Sequence, residues 1–189
     1  MAKNYSGTLF LITGNSSSGK DSIISGTVVK FPENLKKAYA VKRYITREAS
    51  EFEDNYCITE EEFEEMDQQG IFALKWHIYG LDYGVPIEID KWLKNGHAVL
   101  VNVSRTVVEK ARELYKNLKV VFIYVPLEIT INRIKKRGRE RSELLKERIE
   151  RAKNYQLFPE ADFVVDNSGE LNEAIDQLLN FILSVIRED

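Results

Sequence analysis

The stretch Leu9-Phe10-Leu11-Ile12-Thr13-Gly14-Asn15-Ser16-Ser17-Ser18-Gly19-Lys20-Asp21-Ser22 constrains this chain more than any other. An apolar run of strand length stops at Gly14, a loop of small residues follows, and Gly19-Lys20 opens a helix-like segment. This is the spacing G-x-x-x-x-G-K in the strand–loop–helix setting of a phosphate-binding loop. Gly14 and Gly19 let the backbone curl so that its N–H groups converge on an anion. The following helix adds the positive end of its dipole, and Lys20 adds a point charge for the outer phosphates. Gly14, Asn15, Ser16, Ser17, Ser18, Gly19, Lys20, Asp21 and Ser22 are the expected ATP-binding segment, with Lys20 also catalytic.

The position after the lysine is ordinarily Ser or Thr, whose hydroxyl reaches Mg²⁺. Here it is Asp21, then Ser22. A carboxylate is a charged oxygen donor that Mg²⁺ also accepts, directly or through water, so Asp21 is the candidate metal ligand. The competing role for Asp21 is stabilisation of the first helical turn through the dipole.

At 189 residues, with 43% hydrophobic and 30% charged, the chain fits one domain with a full core. A net charge of −3 provides no basic field for nucleic acid, so any anion site is local. A single cysteine, Cys57, forbids an intrachain disulfide and suits a cytoplasmic setting. It has no metal or nucleophile spacing and reads as a packed or idle thiol. No apolar stretch reaches membrane-spanning length. Met1 to Ser6 lead straight into the first strand, with no room expected for a signal peptide. Small-molecule partners are expected, with no nucleic acid, no membrane, and a monomeric or homodimeric state.

Apolar strands at Leu9–Gly14, Ala38–Val41, Ala98–Val103, Lys119–Val125 and Asp162–Asp166 alternate with helical segments. This predicts an α/β three-layer domain on a parallel sheet. Residues from about 46 to 85 break the rhythm. They hold a polar loop, a helix opened by the capping box Thr59-x-x-Glu62, and a hairpin turning at Gly80. Pro86 is expected to open the next helix, from Ile87 to about Lys94. The organisation expected is a core of residues 1–45 and 86–189, an inserted acceptor-binding lobe at about 46–85, and an arginine-rich lid at about 137–143.

That lid is the second strong signal. Arg133, Arg137, Arg139 and Arg141 precede Arg148 and Arg151, and Gly138 interrupts the helix among them. Above a phosphate loop, such arginines would neutralise charge developing during phosphoryl transfer. Arg137, Arg139 and Arg148 are the catalytic candidates; a solvated basic face is the alternative. Arg43, Thr46 and Arg47 follow a core strand, where a guanidinium can grip a phosphate on the acceptor; the alternative for Arg43 and Arg47 is a surface pair with the Glu51, Glu53 and Asp54 run. Tyr83 ends the lobe with a hydroxyl for the same phosphate. Asn102, Ser104 and Arg105 end a central strand, where open α/β sheets bind ligands. Asn102 stands where an Asp ordinarily holds Mg²⁺ through water. His77 and His97 are isolated, and Trp76 and Trp92 read as core.

These pieces resemble the ribose 1,5-bisphosphate phosphokinases, relatives of guanylate kinase. The resemblance runs in order through Gly14 to Ser22, Arg43 to Ser50, Phe72 to His77, Tyr83 to Leu93, Val99 to Arg105, Arg137 to Glu140 and Asp166 to Gly169. In that family Asp after the loop lysine and Asn in place of the Walker B Asp are usual. Many members carry Gly where this chain has Val103. The resemblance implies a P-loop kinase fold with ATP and Mg²⁺. It implies phosphorylation of α-D-ribose 1,5-bisphosphate to 5-phospho-α-D-ribose 1-diphosphate, linked to phosphonate breakdown. Guanylate kinase is the alternative: its second phosphate-holding arginine falls at Ser50 here, although Glu53 lies near its guanine-region Glu. A non-catalytic module of that family ranks below both, because this chain keeps the loop lysine and the lid arginines.

Overall fold

The computed structural model describes residues 2–48, 54–137 and 142–187. Two compact units make up the chain, Met1–Leu11 with Phe31–Leu118 and Ile12–Lys30 with Lys119–Asp189. Strand β1, Leu9–Gly14, runs from the first into the second. Its residues Leu9 to Ile12 have no solvent exposure, as an uninterrupted apolar run requires.

In the first unit the strand order is β2–β7–β1, with β2 at Ala38–Ala40 and β7 at Ala98–Asn102. β2 and β7 pair in parallel with Ala38 opposite Ala98. Every residue of β7 is buried. A four-stranded sheet, order β4–β3–β6–β5, occupies the same unit. It comprises β3 (Tyr44–Ile45), β4 (Tyr56–Cys57), β5 (Phe72–Ile78) and β6 (Leu81–Pro86). Helix α2, Glu60–Gln68, begins in the expected capping box: Thr59 Oγ1 accepts from Glu62 N and Glu62 Oε2 accepts from Thr59 N. β5 and β6 form the expected antiparallel hairpin, with Trp76 opposite Tyr83. Its two-residue turn takes positive φ at both Tyr79 (57°) and Gly80 (71°), the backbone that matches strand twist.

Pro86 does not open a helix. It is the last residue of β6, opposite Phe72, and α3 covers Ile89–Lys94. Pro is tolerated at a strand end, where no ladder N–H is required of it. Ser104 caps a 3-10 turn, Arg105–Val107, before α4 at Val108–Leu114.

In the second unit the order is β1–β8–β9, with β8 at Leu118–Tyr124 and β9 at Phe163–Asp166. β8 and β9 pair in parallel, with Val121 opposite Phe163. Helices α1 (Lys20–Val29), α5 (Leu127–Arg137), α6 (Ser142–Asn154) and α7 (Leu171–Arg187) complete it. The α7 stripe Ala174, Ile175, Leu178 and Ile182 is buried, and α7 packs on α1. Each fully buried Leu or Ile of that stripe contributes about 1.5–3 kcal/mol. α1 is rich in β-branched residues and has Ile23, Ile24 and Thr27 buried, so packing holds it where propensity is weak. No helix among the described residues is long and apolar enough to cross a membrane.

Candidate active site

The phosphate loop joins β1 to α1, and its shape follows from its small residues. Gly19, the N-cap of α1, has φ 89°, a conformation that disfavours any side chain. A Cβ there would stand 2.6 Å from Asn167 Nδ2. A Cβ on Gly14 would stand 2.8 Å from the Ile123 carbonyl oxygen and 2.9 Å from Ser18 Oγ. Both glycines are thus required by close approach as well as by dihedral. Ser17 also has positive φ, 61°, and its buried Oγ has no hydrogen-bond partner among the described residues.

Lys20 folds over this loop. Its Nζ donates to the Gly14 carbonyl at 3.0 Å, to the Asn15 carbonyl at 2.8 Å and to Ser18 Oγ at 3.3 Å. The ammonium is therefore held at the mouth of the backbone curl. Asp21 and Ser22 are exposed on the first turn of α1. Among the described residues no group of three or more His, Cys, Asp or Glu could cage a metal. One carboxylate beside a phosphate cradle is nevertheless the donor set that Mg²⁺ uses, since that ion takes one or two carboxylates and completes its shell with phosphate oxygens and water.

Helix α6 brings the expected Arg148 to the loop, where Nη1 donates to Ser16 Oγ at 3.1 Å. One turn on, the Arg151 guanidinium lies 5.6 Å from the ring centre of Tyr155. The Tyr155 carbonyl accepts from Asn15 Nδ2 at 3.1 Å. Arg139 and Arg141 lie outside the described residues, as does the side chain of Arg137.

A loop partner that the sequence did not disclose is Asn167. It follows β9, is 3% exposed, and its Nδ2 donates to the Ser18 carbonyl at 2.8 Å. The backbone around it is fixed from α7. Gln177 Oε1 accepts from Asp166 N at 2.9 Å, and Gln177 Nε2 donates to the Asp166 carbonyl at 3.1 Å. Arg133 donates to the Asn167 carbonyl at 3.5 Å. The only sequence signal was the run Asp166-Asn167-Ser168-Gly169, which carried a resemblance and no chemistry.

The acceptor candidates lie in the first unit. Arg43 is 6% exposed, and its Nη1 donates to the Asn102 carbonyl at 3.1 Å. Its guanidinium sits 5.8 Å from the Tyr83 ring centre. Of the acidic run offered as its alternative partner, Asp54 pairs with Lys42, and Glu51 and Glu53 lie outside the described residues. Thr46 is also buried, and its Oγ1 accepts from Asp82 N at 2.8 Å. Arg43, Thr46, Tyr83 and Asn102 are thereby tied together around β3, β6 and β7. Arg47 follows Thr46 and is half-buried. Ser104 accepts from Thr106 N at 3.4 Å and from Thr106 Oγ1 at 2.9 Å, which fixes the turn carrying half-buried Arg105. Ser50 and Glu53, which bear on guanylate kinase, lie outside the described residues.

Neither tryptophan is core: both are half-buried, Trp76 stacked on Tyr83 and Trp92 on Tyr39. His77 is exposed with Nδ1 2.8 Å from Asp82 Oδ1, a partner supplied by hairpin register.

The guanylate kinase family model matches residues 6–185. A protein of Pseudomonas paraeruginosa named ribose 1,5-bisphosphate phosphokinase PhnN is 36% identical over 93% of this chain and 95% of its own length. A protein of the same name from Psychromonas ingrahamii is 35% identical over 93% of this chain and 90% of its own. Among solved structures, guanylate kinase from Anaplasma phagocytophilum superposes with a TM-score of 0.68 at 20% identity, covering 97% of this chain and 88% of that one, a likeness of fold. With a phosphate loop built on Gly14, Gly19 and Lys20, and with this agreement over nearly its whole length, the chain belongs to the ribose 1,5-bisphosphate phosphokinases of the guanylate kinase family.

Proposed function

We propose that this protein transfers the γ-phosphoryl group of ATP to the 1-phosphate of α-D-ribose 1,5-bisphosphate, giving 5-phospho-α-D-ribose 1-diphosphate and ADP in phosphonate breakdown. The observation that carries this is the match to relatives bearing that activity in their names, 36% identical over 93% of the chain. The residues suit the chemistry. The nucleophile is an oxygen of the sugar 1-phosphate, already anionic, so no strong general base is needed. That oxygen bonds to the γ-phosphorus while the bond from the γ-phosphorus to the bridging oxygen breaks and ADP departs. Catalysis then rests on positioning and on neutralising charge.

In this reading the loop from Gly14 to Ser22 holds the nucleotide phosphates. Lys20, now on the carbonyls of Gly14 and Asn15, turns its three donors to the outer phosphates. Asp21 is the residue that would hold Mg²⁺, which when bound neutralises charge on the phosphate oxygens. Arg148 is supported by its contact with Ser16 Oγ, and Arg137 and Arg139 are proposed to act with it from a lid at about 137–143. Arg43, Thr46, Arg47, Tyr83, Asn102, Ser104 and Arg105 bind the acceptor, chiefly its phosphates, with residues 46–85 as the acceptor lobe. Buried Arg43 supports this: a guanidinium already desolvated binds an anion more strongly than one in water. The protein works on small molecules in the cytoplasm as a monomer or homodimer, without nucleic acid or membrane.

The test is ADP release with Mg-ATP, run in parallel with ribose 1,5-bisphosphate and with GMP. Turnover on the sugar bisphosphate alone is expected. Turnover on GMP alone overturns the acceptor assignment and makes the protein a guanylate kinase; no ADP with either acceptor, and no ATP binding by calorimetry, makes it a non-catalytic module.

A further inference from the structure

Trp76 lies outside the residue set that the acceptor reading uses, yet it is built into that set. On the β5–β6 hairpin it stands directly opposite Tyr83. The two rings stack with centroids 5.2 Å apart and planes 4° from parallel. On the far side of β6 comes β3, because the sheet order is β3–β6–β5. Ile45 of β3 is paired with Tyr83, and Arg43 lies just before β3. The Arg43 guanidinium comes within 5.8 Å of the Tyr83 ring centre. Tyr83 is therefore bordered by Trp76 from one neighbouring strand and by Arg43 from the approach to the other. Arg43 continues the series through its bond to the Asn102 carbonyl, 3.1 Å.

The stack also sits where this face of the sheet leaves the core. Leu74, two residues earlier on the same face, is 3% exposed, whereas Trp76 and Tyr83 are half-buried. A core role would place the indole at the depth of Leu74. Parallel stacking at a half-exposed position restricts the Tyr83 ring. β5 also packs beside the 3-10 turn that begins at Arg105, so the strand carrying Trp76 adjoins a further acceptor candidate.

We infer that Trp76 is a positioning residue for the acceptor: its ring fixes Tyr83, and through Tyr83 the guanidinium of Arg43, for a sugar phosphate. This rests on the acceptor reading above. Trp76 acts through Tyr83, so a phosphate bound at Tyr83 alters the surroundings of the stacked indole. The effect expected is on the acceptor side, where Tyr83 and Arg43 lie.

The experiment is steady-state kinetics with ribose 1,5-bisphosphate and Mg-ATP on Trp76→Ala, Trp76→Phe and Arg47→Ala, with each substrate varied at saturation of the other. Loss of one aromatic stack corresponds to about three- to tenfold in affinity. Trp76→Ala is expected to raise the acceptor KM about three- to tenfold and to leave the KM for ATP within about twofold. Trp76→Phe, which keeps a ring on Tyr83, should restore most of the loss. A second measurement does not depend on the alanine variant folding. In Trp92→Phe, Trp76 is the one remaining tryptophan of the two in the chain, and ribose 1,5-bisphosphate should change its emission with half-saturation near the acceptor KM. An acceptor KM unchanged by Trp76→Ala while Arg47→Ala raises it overturns the role of Trp76 and leaves the acceptor site standing. Equal rises in both KM values, or an emission that the sugar bisphosphate does not move, also overturn it, since they mark a merely structural tryptophan. If neither Trp76→Ala nor Arg47→Ala alters the acceptor KM, the acceptor reading itself falls.

Discussion

Asn167 offers the sharpest test of how the phosphate loop is held. Its amide donates to the Ser18 carbonyl at 2.8 Å, and both residues are buried, at 3% and 1% exposure. Asn167→Ala removes the donor and leaves a carbonyl without it in a site water does not reach. A buried group so deprived costs about 1–3 kcal/mol. For a chain of this length that is a fall in Tm of roughly 3–9 °C, at about 3 °C per kcal/mol. Asn167→Asp is worse at neutral pH, because a carboxylate oxygen then faces a carbonyl oxygen with no proton between them. The introduced carboxyl, buried and against an acceptor, has its pKa raised in the folded state. A raised folded pKa means that the folded state binds the proton more tightly than the unfolded one. The deficit relative to wild type is thus absent below the unfolded value of about 3.9 and grows as pH rises above it. Thermal melts of both variants from pH 4 to 8, with ATP and acceptor titrations at pH 7.5, provide the assay. The expected pattern is a Tm deficit that deepens with pH for Asn167→Asp, stays level for Asn167→Ala, and accompanies a higher KM for ATP with the acceptor KM unchanged. A loss below about 0.5 kcal/mol in Asn167→Ala, the range of an ordinary surface substitution, with the KM for ATP unmoved, refutes the tether.

Three further outcomes are expected. Lys20→Ala should lower kcat by at least about a hundredfold, the scale of losing one charge-stabilising donor, with Tm little changed; an unaltered kcat removes Lys20 from the reaction. Arg47→Ala should raise the KM for ribose 1,5-bisphosphate about tenfold or more, as loss of a charge-assisted bond implies; a rise confined to ATP contradicts its placement on the acceptor. Tyr115, whose hydroxyl donates to Asp90 Oδ1 at 2.7 Å, has its pKa pushed far above the usual tyrosine range, first by burial and then by Asp90. The unfolded chain therefore ionises at about pH 10 while the folded one keeps its proton. Wild-type stability should fall by about 1.4 kcal/mol per pH unit above 10 from this group. Tyr115→Phe should be less stable at pH 7 by about 1.5–3 kcal/mol yet lack that alkaline slope; parallel slopes in urea melts at pH 10 to 11 would dismiss the linkage.

Local pattern carried the reading a long way where conformation is a local matter. The apolar run into Gly14 became β1, and Thr59-x-x-Glu62 became a capping box because both partners lie within one turn. The hairpin was legible at Gly80, but Tyr79 at φ 57° was not, since nothing in a tyrosine announces positive φ. Pro86 misled for a related reason. The same fixed φ serves a first helical turn and a strand end, and pairing with Phe72 decided between them. His77 and Asp82 met because hairpin register set them opposite, which residue type alone does not reveal.

By itself, then, the sequence determined the phosphate loop, the alternation of strand and helix, and the charged residues available for phosphate. Each depends on side-chain size, dihedral freedom and period within a short segment. The tertiary structure decided which of those residues are buried and what they hold. Arg43 reaches the Asn102 carbonyl across 59 positions, and Asn167 reaches the Ser18 carbonyl across 149. Such partnerships arise from strand order and register, which bring distant backbone groups within hydrogen-bond reach and withdraw them from water. Burial then gives an arginine or an asparagine, unremarkable in the chain, its hold on a neighbour.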